Sequence, residues 1–170
     1  VGKAYALLLE GGFGSTFAWS ETLTRATPLI LTGLSAAVAF RARLFNIGAE
    51  GQLYAGALAA VAIGGLHGGA GFALHPALLF PAMVAAAALA GALLLLGPAL
   101  LKSRLGVDEV VTTLLFNSII LFIISYTLNN FWRNPLTGWP QSPEISVTAH
   151  YIKLIPRSRL HMGFIVALAV

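Results

Sequence analysis

Two long stretches of this chain contain no Asp, Glu, Lys or Arg. One runs from Gly51 to Leu101 and the other from Val110 to Trp132. Each exceeds the roughly 20 apolar residues that a helix needs to cross a bilayer. Of the 170 residues, 58% are hydrophobic and 9% are charged, whereas soluble proteins have about 25% charged residues. The chain is therefore predicted to be a membrane protein.

The pattern of apolar segments predicts an all-α fold, a polytopic transmembrane helical bundle of about five segments in a single domain covering residues 1–170. Helices satisfy their own backbone polar groups inside lipid. The glycine-rich stretch 63–76 divides the first charge-free block into two helices. We expect the chain to be an N-terminal part of a longer protein, with its last helix truncated. The predicted helices are 23–44, 46–66, 77–101, 108–129 and 160–170, and a polar outer loop covers 130–159.

Two pairs of cations serve as topology anchors. Arg41 and Arg43 lie at the far end of the first predicted helix, and Lys102 and Arg104 follow the third. Segment parity places both pairs on one side of the membrane, and the positive-inside rule makes that side cytoplasmic. An inverted topology is the competing interpretation, because the outer loop also carries several cations.

Several classes of site are not indicated. The chain has no cysteine, so it offers neither a disulfide framework nor a thiolate metal site. His67 and His75 lie in the glycine-rich turn with no carboxylate nearby, which makes a metal site improbable. No P-loop, dinucleotide fingerprint, zinc-protease motif or nucleophile elbow is present. The net charge of +4 is attributed to the cationic residues expected in loops next to membrane helices, so no nucleic-acid partner is expected.

The stretch "RLFNIGAEGQLY", residues 43–54, places a carboxylate between apolar segments. An unpaired carboxylate in the bilayer costs roughly 2.5–3.5 kcal/mol. Three explanations of the Glu50 carboxylate compete. It could lie at the membrane interface near the preceding arginines, or be buried in the first turn of a helix that Asn46 caps. It could also line a polar path at a helix break. All three explanations stay open. The candidate path or helix-break residues are Asn46, Gly48, Glu50, Gly51 and Gln52.

Polar residues also occur inside the fourth predicted helix. Thr112, Thr113 and Asn117 lie in its apolar run, and the last two share a face at a spacing of four residues. Such groups form hydrogen bonds between membrane helices more often than they contact a substrate. We therefore retain these three as candidate path residues, with interhelical hydrogen bonding as the alternative.

Three stretches carry a family resemblance: "SETLTRATPLILTGLSAAVAF", "FRARLFNIGAEGQLYAGALAA" and "GVDEVVTTLLFNSI". Together they resemble the permease subunits of bacterial ABC importers. They are similar in particular to the nucleoside and simple-sugar branch of the family that includes branched-chain amino-acid and ribose permeases. Asp108 stands where many relatives have asparagine, and either residue caps a helix well.

The resemblance implies a multi-pass permease subunit in the plasma membrane, the bacterial inner membrane, that imports a nucleoside or simple sugar by alternating access. It implies cytoplasmic ATP-binding subunits, a second permease subunit, an extracytoplasmic substrate-binding lipoprotein and surrounding membrane lipid as partners. ATP would bind the partner subunit, so neither a cofactor nor catalytic residues are expected on this chain. The loop that couples to the ATPase would lie beyond residue 170.

Two other classes of function are the alternatives to an importer subunit. An ion-coupled secondary transporter would use Glu50 to bind a proton or sodium ion near a helix break. An intramembrane enzyme would need clustered acids, bases or metal ligands, which the sequence does not supply.

The outer loop allows two interpretations of its own. Trp132 and Trp139 suit the membrane interface, and a docking surface for an external partner is the alternative.

Overall fold

The structure, a computed structural model, describes residues 1–65, 75–146 and 149–170, with the backbone alone at residue 76. The described part of the chain is helical, which confirms the all-α class. The predicted turn around His67 lies outside the described residues. The helices are α1 (Gly2–Phe13), α2 (Thr16–Arg41), α3 (Ala49–Gly64), α4 (Pro76–Leu105), α5 (Glu109–Asn130) and α6 (Gly163–Ala169).

Three helices are long and apolar enough to cross a membrane, namely α2, α4 and α5. Helix α3 is equally apolar but has 16 residues. At 1.5 Å per residue it is about 24 Å long, which is less than the roughly 30 Å hydrocarbon core. Helix α3 alone is therefore too short to cross the hydrocarbon core.

The chain divides into two compact units, one made of residues 1–35 and 151–170 and the other of residues 36–150. In the first unit, α1 is joined to α2 by local contacts. The Thr22 hydroxyl donates to the Gly12 carbonyl at 2.9 Å. The rings of Phe13 and Trp19 meet edge to face, with centroids 4.8 Å apart.

Helix α1 was not predicted, and α2 begins earlier than the expected residue 23. The sequence just before residue 23 contains several hydroxyl side chains, and most of these are satisfied locally. The Ser15 Oγ accepts a hydrogen bond from the Ala18 N–H at 3.0 Å, and the hydroxyls of Ser20 and Thr24 donate to carbonyls three and four residues back. Polar side chains bonded in this way remain compatible with a helix.

In the second unit, α3 packs against α4 and α5. Small residues permit the close approach of α3 to α4. A Cβ built on Gly56 would lie 3.2 Å from the Ala87 carbonyl, and one on Gly64 would lie 2.5 Å from the Met83 sulfur. Small residues have this role in many membrane helix pairs, because they let backbones come together.

The helix ends around the polar stretch are defined by their caps. Helix α2 stops at Arg41 rather than residue 44, because Arg43 adopts a left-handed φ of 56° and the Leu44 N–H turns back to the Ala39 carbonyl. Helix α4 continues past residue 101 until Gly106, whose φ of 66° ends it. The Asp108 side chain caps α5 by accepting the Val110 N–H at 2.8 Å.

Helix α3 begins at Ala49, three residues later than predicted, with Gly48 as its N-cap residue. Residues 42–48 are therefore non-helical and form a break between α2 and α3. After α5, residues 131–146 form the second irregular segment of this unit.

Candidate functional site

One face of α5 carries three polar side chains in a row, which we call the α5 ladder: Glu109, Thr113 and Asn117. They are spaced four residues apart and therefore lie above one another on the helix. Each accepts a hydrogen bond from a backbone N–H in the segment 45–51. The Glu109 Oε1 binds the Phe45 N–H at 3.3 Å, the Thr113 Oγ1 binds the Ile47 N–H at 3.3 Å, and the Asn117 Oδ1 binds the Gly51 N–H at 2.9 Å.

Further hydrogen bonds satisfy other backbone and side-chain groups of the break. The Asn46 Oδ1 accepts the Gly48 N–H at 2.9 Å, and its Nδ2 donates to the Gln52 Oε1 at 3.2 Å. The Asn117 Nδ2 donates to the Ile47 carbonyl at 3.4 Å. Non-helical backbone at membrane depth is tolerated where protein supplies such partners. The α5 ladder thus supplies the hydrogen-bond partners that a continuous helix would supply from its own backbone.

The break and α5 approach so closely that two glycines are needed. A Cβ on Gly51 would lie 2.4 Å from the Asn117 Oδ1 and 3.0 Å from its Cα. A Cβ on Gly48 would lie 3.0 Å from both the Cβ and the carbonyl oxygen of Thr113. The side chains of Asn46 and Thr113 are each only 1% exposed at this contact. The contact is therefore a packed interface as well as a hydrogen-bonded one.

The Glu109 end of the ladder joins three helix ends. The Lys102 Nζ donates both to the Arg43 carbonyl and to the Glu109 carboxylate, and it lies 5.9 Å from the centre of the Phe45 ring. Since Arg43 follows α2 and Lys102 lies near the end of α4, the two cation pairs are at the same end of this unit, as segment parity predicts. Arg41 and Arg104 are exposed there.

Glu50 is not buried, contrary to one explanation drawn from the sequence. It lies in the first turn of α3, where the helix dipole favours a carboxylate, and its side chain is exposed. Asn46 does not occupy the N-cap position, because its side chain binds the Gly48 N–H one step before the helix. Within the described residues, the Glu50 carboxylate has neither a hydrogen bond nor an ion pair.

The structure brings six of the eight candidate residues to one contact. Glu50 and Thr112 are the exceptions, because the Glu50 side chain is exposed and the Thr112 hydroxyl bonds only to the carbonyls of Asp108 and Glu109. Glu109 was not among the predicted site residues. Its spacing of four and eight residues from Thr113 and Asn117 is the signal that identifies the ladder. His75 caps α4 at 3.4 Å from the Ala77 nitrogen, and the described residues contain no cluster of potential metal ligands.

Comparison with known proteins identifies relatives for almost the whole chain. A guanosine ABC transporter permease protein from Bacillus subtilis is 38% identical over 170 residues, which cover 99% of this chain and 47% of the relative. A glucose ABC transporter permease protein from Haloferax volcanii is 35% identical, covering 98% and 45%. A nucleoside ABC transporter permease protein from Lactococcus lactis subsp. cremoris is 34% identical, covering 96% and 46%.

The chain spans about half the length of these curated relatives. No solved structure matches it significantly. Residues 19–170 match the family described as branched-chain amino acid transport system / permease component. This range includes the helix break and the whole α5 ladder. The chain is therefore a membrane protein that belongs to this permease family.

Proposed function

We propose that the chain is part of the transmembrane permease subunit of an ABC importer that moves a nucleoside or a simple sugar into the cell. The family match over residues 19–170 carries this proposal. The curated relatives, which are named for guanosine, glucose and nucleoside transport, support the substrate class. All three are named as ABC transporter permeases, so the comparisons give no support to an ion-coupled transporter, and the chain is a transport component rather than an enzyme.

The energy source in this proposal is a pair of cytoplasmic ATP-binding subunits, since the chain has no P-loop of its own. A second permease subunit completes the path, and an extracytoplasmic binding lipoprotein delivers the solute. The membrane is the plasma membrane. The end that carries Arg41, Arg43, Lys102 and Arg104 faces the cytoplasm, in agreement with the positive-inside rule.

Glu50 is the residue that we assign to solute contact. Thr113, Asn117 and Gln52 already bind other groups in the break, whereas the Glu50 carboxylate is exposed and unbonded within the described residues. An ionised carboxylate accepts hydrogen bonds through two oxygens. Nucleosides and simple sugars both present neighbouring hydroxyl groups. One carboxylate at a helix break therefore suits both classes of solute.

In this proposal the remaining polar residues position Glu50. The α5 ladder fixes the backbone on both sides of Glu50, through the N–H groups of Ile47 and Gly51. Alternating access requires a site whose geometry survives the movement of surrounding helices. A break bonded to one rigid helix meets this requirement.

The test is uptake by the reconstituted full-length permease with its ATPase and binding protein. We expect ATP-dependent uptake of guanosine, uridine, ribose or glucose. Glu50→Gln should reduce uptake while leaving the protein folded, and Glu10→Gln, which alters another exposed carboxylate, should not. If Glu50 binds neighbouring hydroxyls, wild type should prefer a ribonucleoside to its 2′-deoxy analogue about tenfold, as for one hydrogen bond to a charged group. The variant should lose that preference.

Two results would contradict the proposal. Uptake that follows a proton or sodium gradient without the ATPase would replace the ABC mechanism with ion coupling. Normal uptake and unchanged preference in Glu50→Gln would remove Glu50 from the path but leave the importer assignment intact.

A further inference from the structure

The second irregular segment contains a hairpin that is rigid through its own hydrogen bonds. The Arg133 Nε donates to the Gly138 carbonyl at 2.7 Å, and the Asn134 Oδ1 accepts the N–H groups of Leu136 and Thr137 at 2.9 and 3.2 Å. The Gly138 N–H returns to the Asn134 carbonyl at 2.8 Å. With a φ of 71°, Gly138 has the left-handed conformation that this turn needs. The hairpin is therefore held in one shape.

This rigid hairpin exposes two large apolar side chains. Leu136 is 94% exposed and Trp139 is 71% exposed. An ordered loop that presents Leu and Trp outward is costly in water, because that apolar surface stays hydrated. A Trp side chain is favourable at the boundary between lipid headgroups and acyl chains.

The position of the hairpin matches that boundary. Helix α5 has 22 residues and is therefore about 33 Å long, close to the roughly 30 Å of hydrocarbon. The ladder that joins the cationic helix ends lies at one end of α5, so the hairpin follows the opposite end, at headgroup level. The chain folds back after the helix, so that the backbone N–H of Trp132 donates to the Thr127 carbonyl at 2.9 Å.

A cavity of about 490 Å³ lies beside the hairpin, within the roughly 300–1,000 Å³ typical of small-molecule sites. Arg133 and Glu144 bring opposite charges to its lining, and Phe131 and Trp132 bring aromatic rings. Within the described residues, neither Arg133 nor Glu144 is in an ion pair. Because its Nε is already bonded, the Arg133 guanidinium is oriented with its other two nitrogens available.

We infer that this cavity binds the headgroup of an amine-bearing zwitterionic phospholipid, of the phosphatidylethanolamine class. The Arg133 guanidinium matches the phosphate, for which its fork of donors is suited. The Glu144 carboxylate accepts hydrogen bonds from the primary ammonium, next to aromatic rings that attract cations. Leu136 and Trp139 then enter the layer of acyl chains below the headgroup. This inference rests on the membrane location alone and is independent of the transported solute.

The binding test uses full-length permease in detergent, titrated with short-chain phosphatidylethanolamine, phosphatidylcholine and phosphatidylglycerol. The readout is the tryptophan emission change that Trp132→Phe removes. We expect phosphatidylethanolamine to bind roughly tenfold more tightly than the other two, as for one charge-assisted hydrogen bond. Glu144→Gln should abolish this selectivity, and Arg133→Lys should weaken binding of all three lipids. Arg104→Gln and Glu10→Gln, which change charges outside the cavity, should behave as wild type.

Equal binding of the three lipids, or unchanged selectivity in Glu144→Gln, would overturn the assignment. So would equally tight binding of glycerophosphoethanolamine, because the site would then recognise a soluble zwitterion. Glu144 makes no hydrogen bond within the described residues, so Glu144→Gln should change lipid binding without disturbing the shape of the hairpin.

A second measurement tests insertion directly. This chain contains no cysteine, so a spin label at Leu136→Cys can be made after any cysteines elsewhere in the full-length protein are replaced. In bilayers we expect the label to be more accessible to oxygen than to a water-soluble nickel complex. Higher accessibility to nickel, or protection only when a soluble binding protein is added, would overturn the inference.

Discussion

The two irregular segments of the second unit obtain hydrogen-bond partners for their non-helical backbone in different ways. In residues 42–48, side chains of helix α5 supply many of these partners. In the hairpin after α5, the partners come from the hairpin itself, through Arg133, Asn134 and Gly138. The first segment is buried at Asn46 and Gly48, whereas the second exposes Leu136 and Trp139. The break therefore depends on the bundle, and the hairpin depends mainly on its own sequence.

This difference has a functional meaning. A segment bonded to α5 moves together with α5, so movement of α5 displaces the residues around Glu50 without changing the geometry of the break. A locally bonded hairpin does not transmit such movement. These properties agree with the roles that we propose, the break in a translocation path and the hairpin in fixed contact with the membrane surface.

The largest expected effect comes from filling the contact between the break and α5. Gly51→Ala adds a Cβ 2.4 Å from the Asn117 Oδ1 and should destabilise the full-length permease by about 3 kcal/mol, as overpacking does. The measurement is thermal unfolding in detergent. Gly33→Ala is the matched control, because a Cβ there meets no atom within 4 Å, and it should be neutral or slightly stabilising.

A double-mutant cycle sharpens this prediction. Asn117→Ala removes the oxygen that the new methyl group would strike, so the combined variant should lose less stability than the sum of the two single variants. Strict additivity would show that Gly51 and Asn117 do not interact as described.

The next effect comes from removing one rung of the ladder without changing its volume. Thr113→Val leaves the Ile47 N–H without its acceptor and should cost about 1–2 kcal/mol. Thr112→Val is the control, since the Thr112 hydroxyl bonds only within α5. Equal losses in the two variants would mean that the bond to Ile47 contributes nothing.

A smaller effect is expected at the Glu109 end of the α5 ladder. Lys102→Met removes the cation shared by the Arg43 carbonyl and Glu109, and should lower the unfolding temperature less than Thr113→Val does, because Lys102 is partly exposed and solvent screens its charge. Arg104→Met, at an exposed cation two residues away, is the control. A drop as large as that of Gly51→Ala would show that the ion pair, rather than packing, holds the break.

The smallest effect on the bundle should come from the hairpin. Gly138→Ala forces a Cβ into a left-handed turn, which costs about 1–2 kcal/mol locally. Because the hairpin is bonded to itself, the unfolding temperature of the permease should not change, and only proteolysis between residues 133 and 140 should accelerate. A global loss of stability would contradict the separation of the two segments.

Much of the fold could be predicted from sequence, because charge-free blocks longer than a bilayer crossing leave few alternatives to membrane helices. The Asp108 cap of α5 was also readable, whereas the predicted Asn46 cap of α3 was wrong. Helix α1 was missed because its apolar run is short and ends in glycines. The early start of α2 was missed because hydroxyl groups such as Ser20 look polar in sequence yet bond back to their own helix.

The site was harder to predict. Asn46, Thr113 and Asn117 were recognised as unusual, but nothing in the sequence pairs residues 45–51 with α5. The membrane helices are apolar on nearly every face, so periodicity does not reveal which face packs. The exposure of Glu50 also depends on this pairing, since the glycines beside it point the backbone toward α5 and leave the carboxylate on the other side of the contact.

Hydrogen–deuterium exchange of the peptide covering residues 44–54, measured on the full-length permease, tests the central claim most directly. If the α5 ladder holds the break, exchange should be slow in wild type and in Thr112→Val, and clearly faster in Thr113→Val at the same temperature. Equal exchange in all three proteins would contradict the account, because the backbone of the break would then be protected by something other than the ladder.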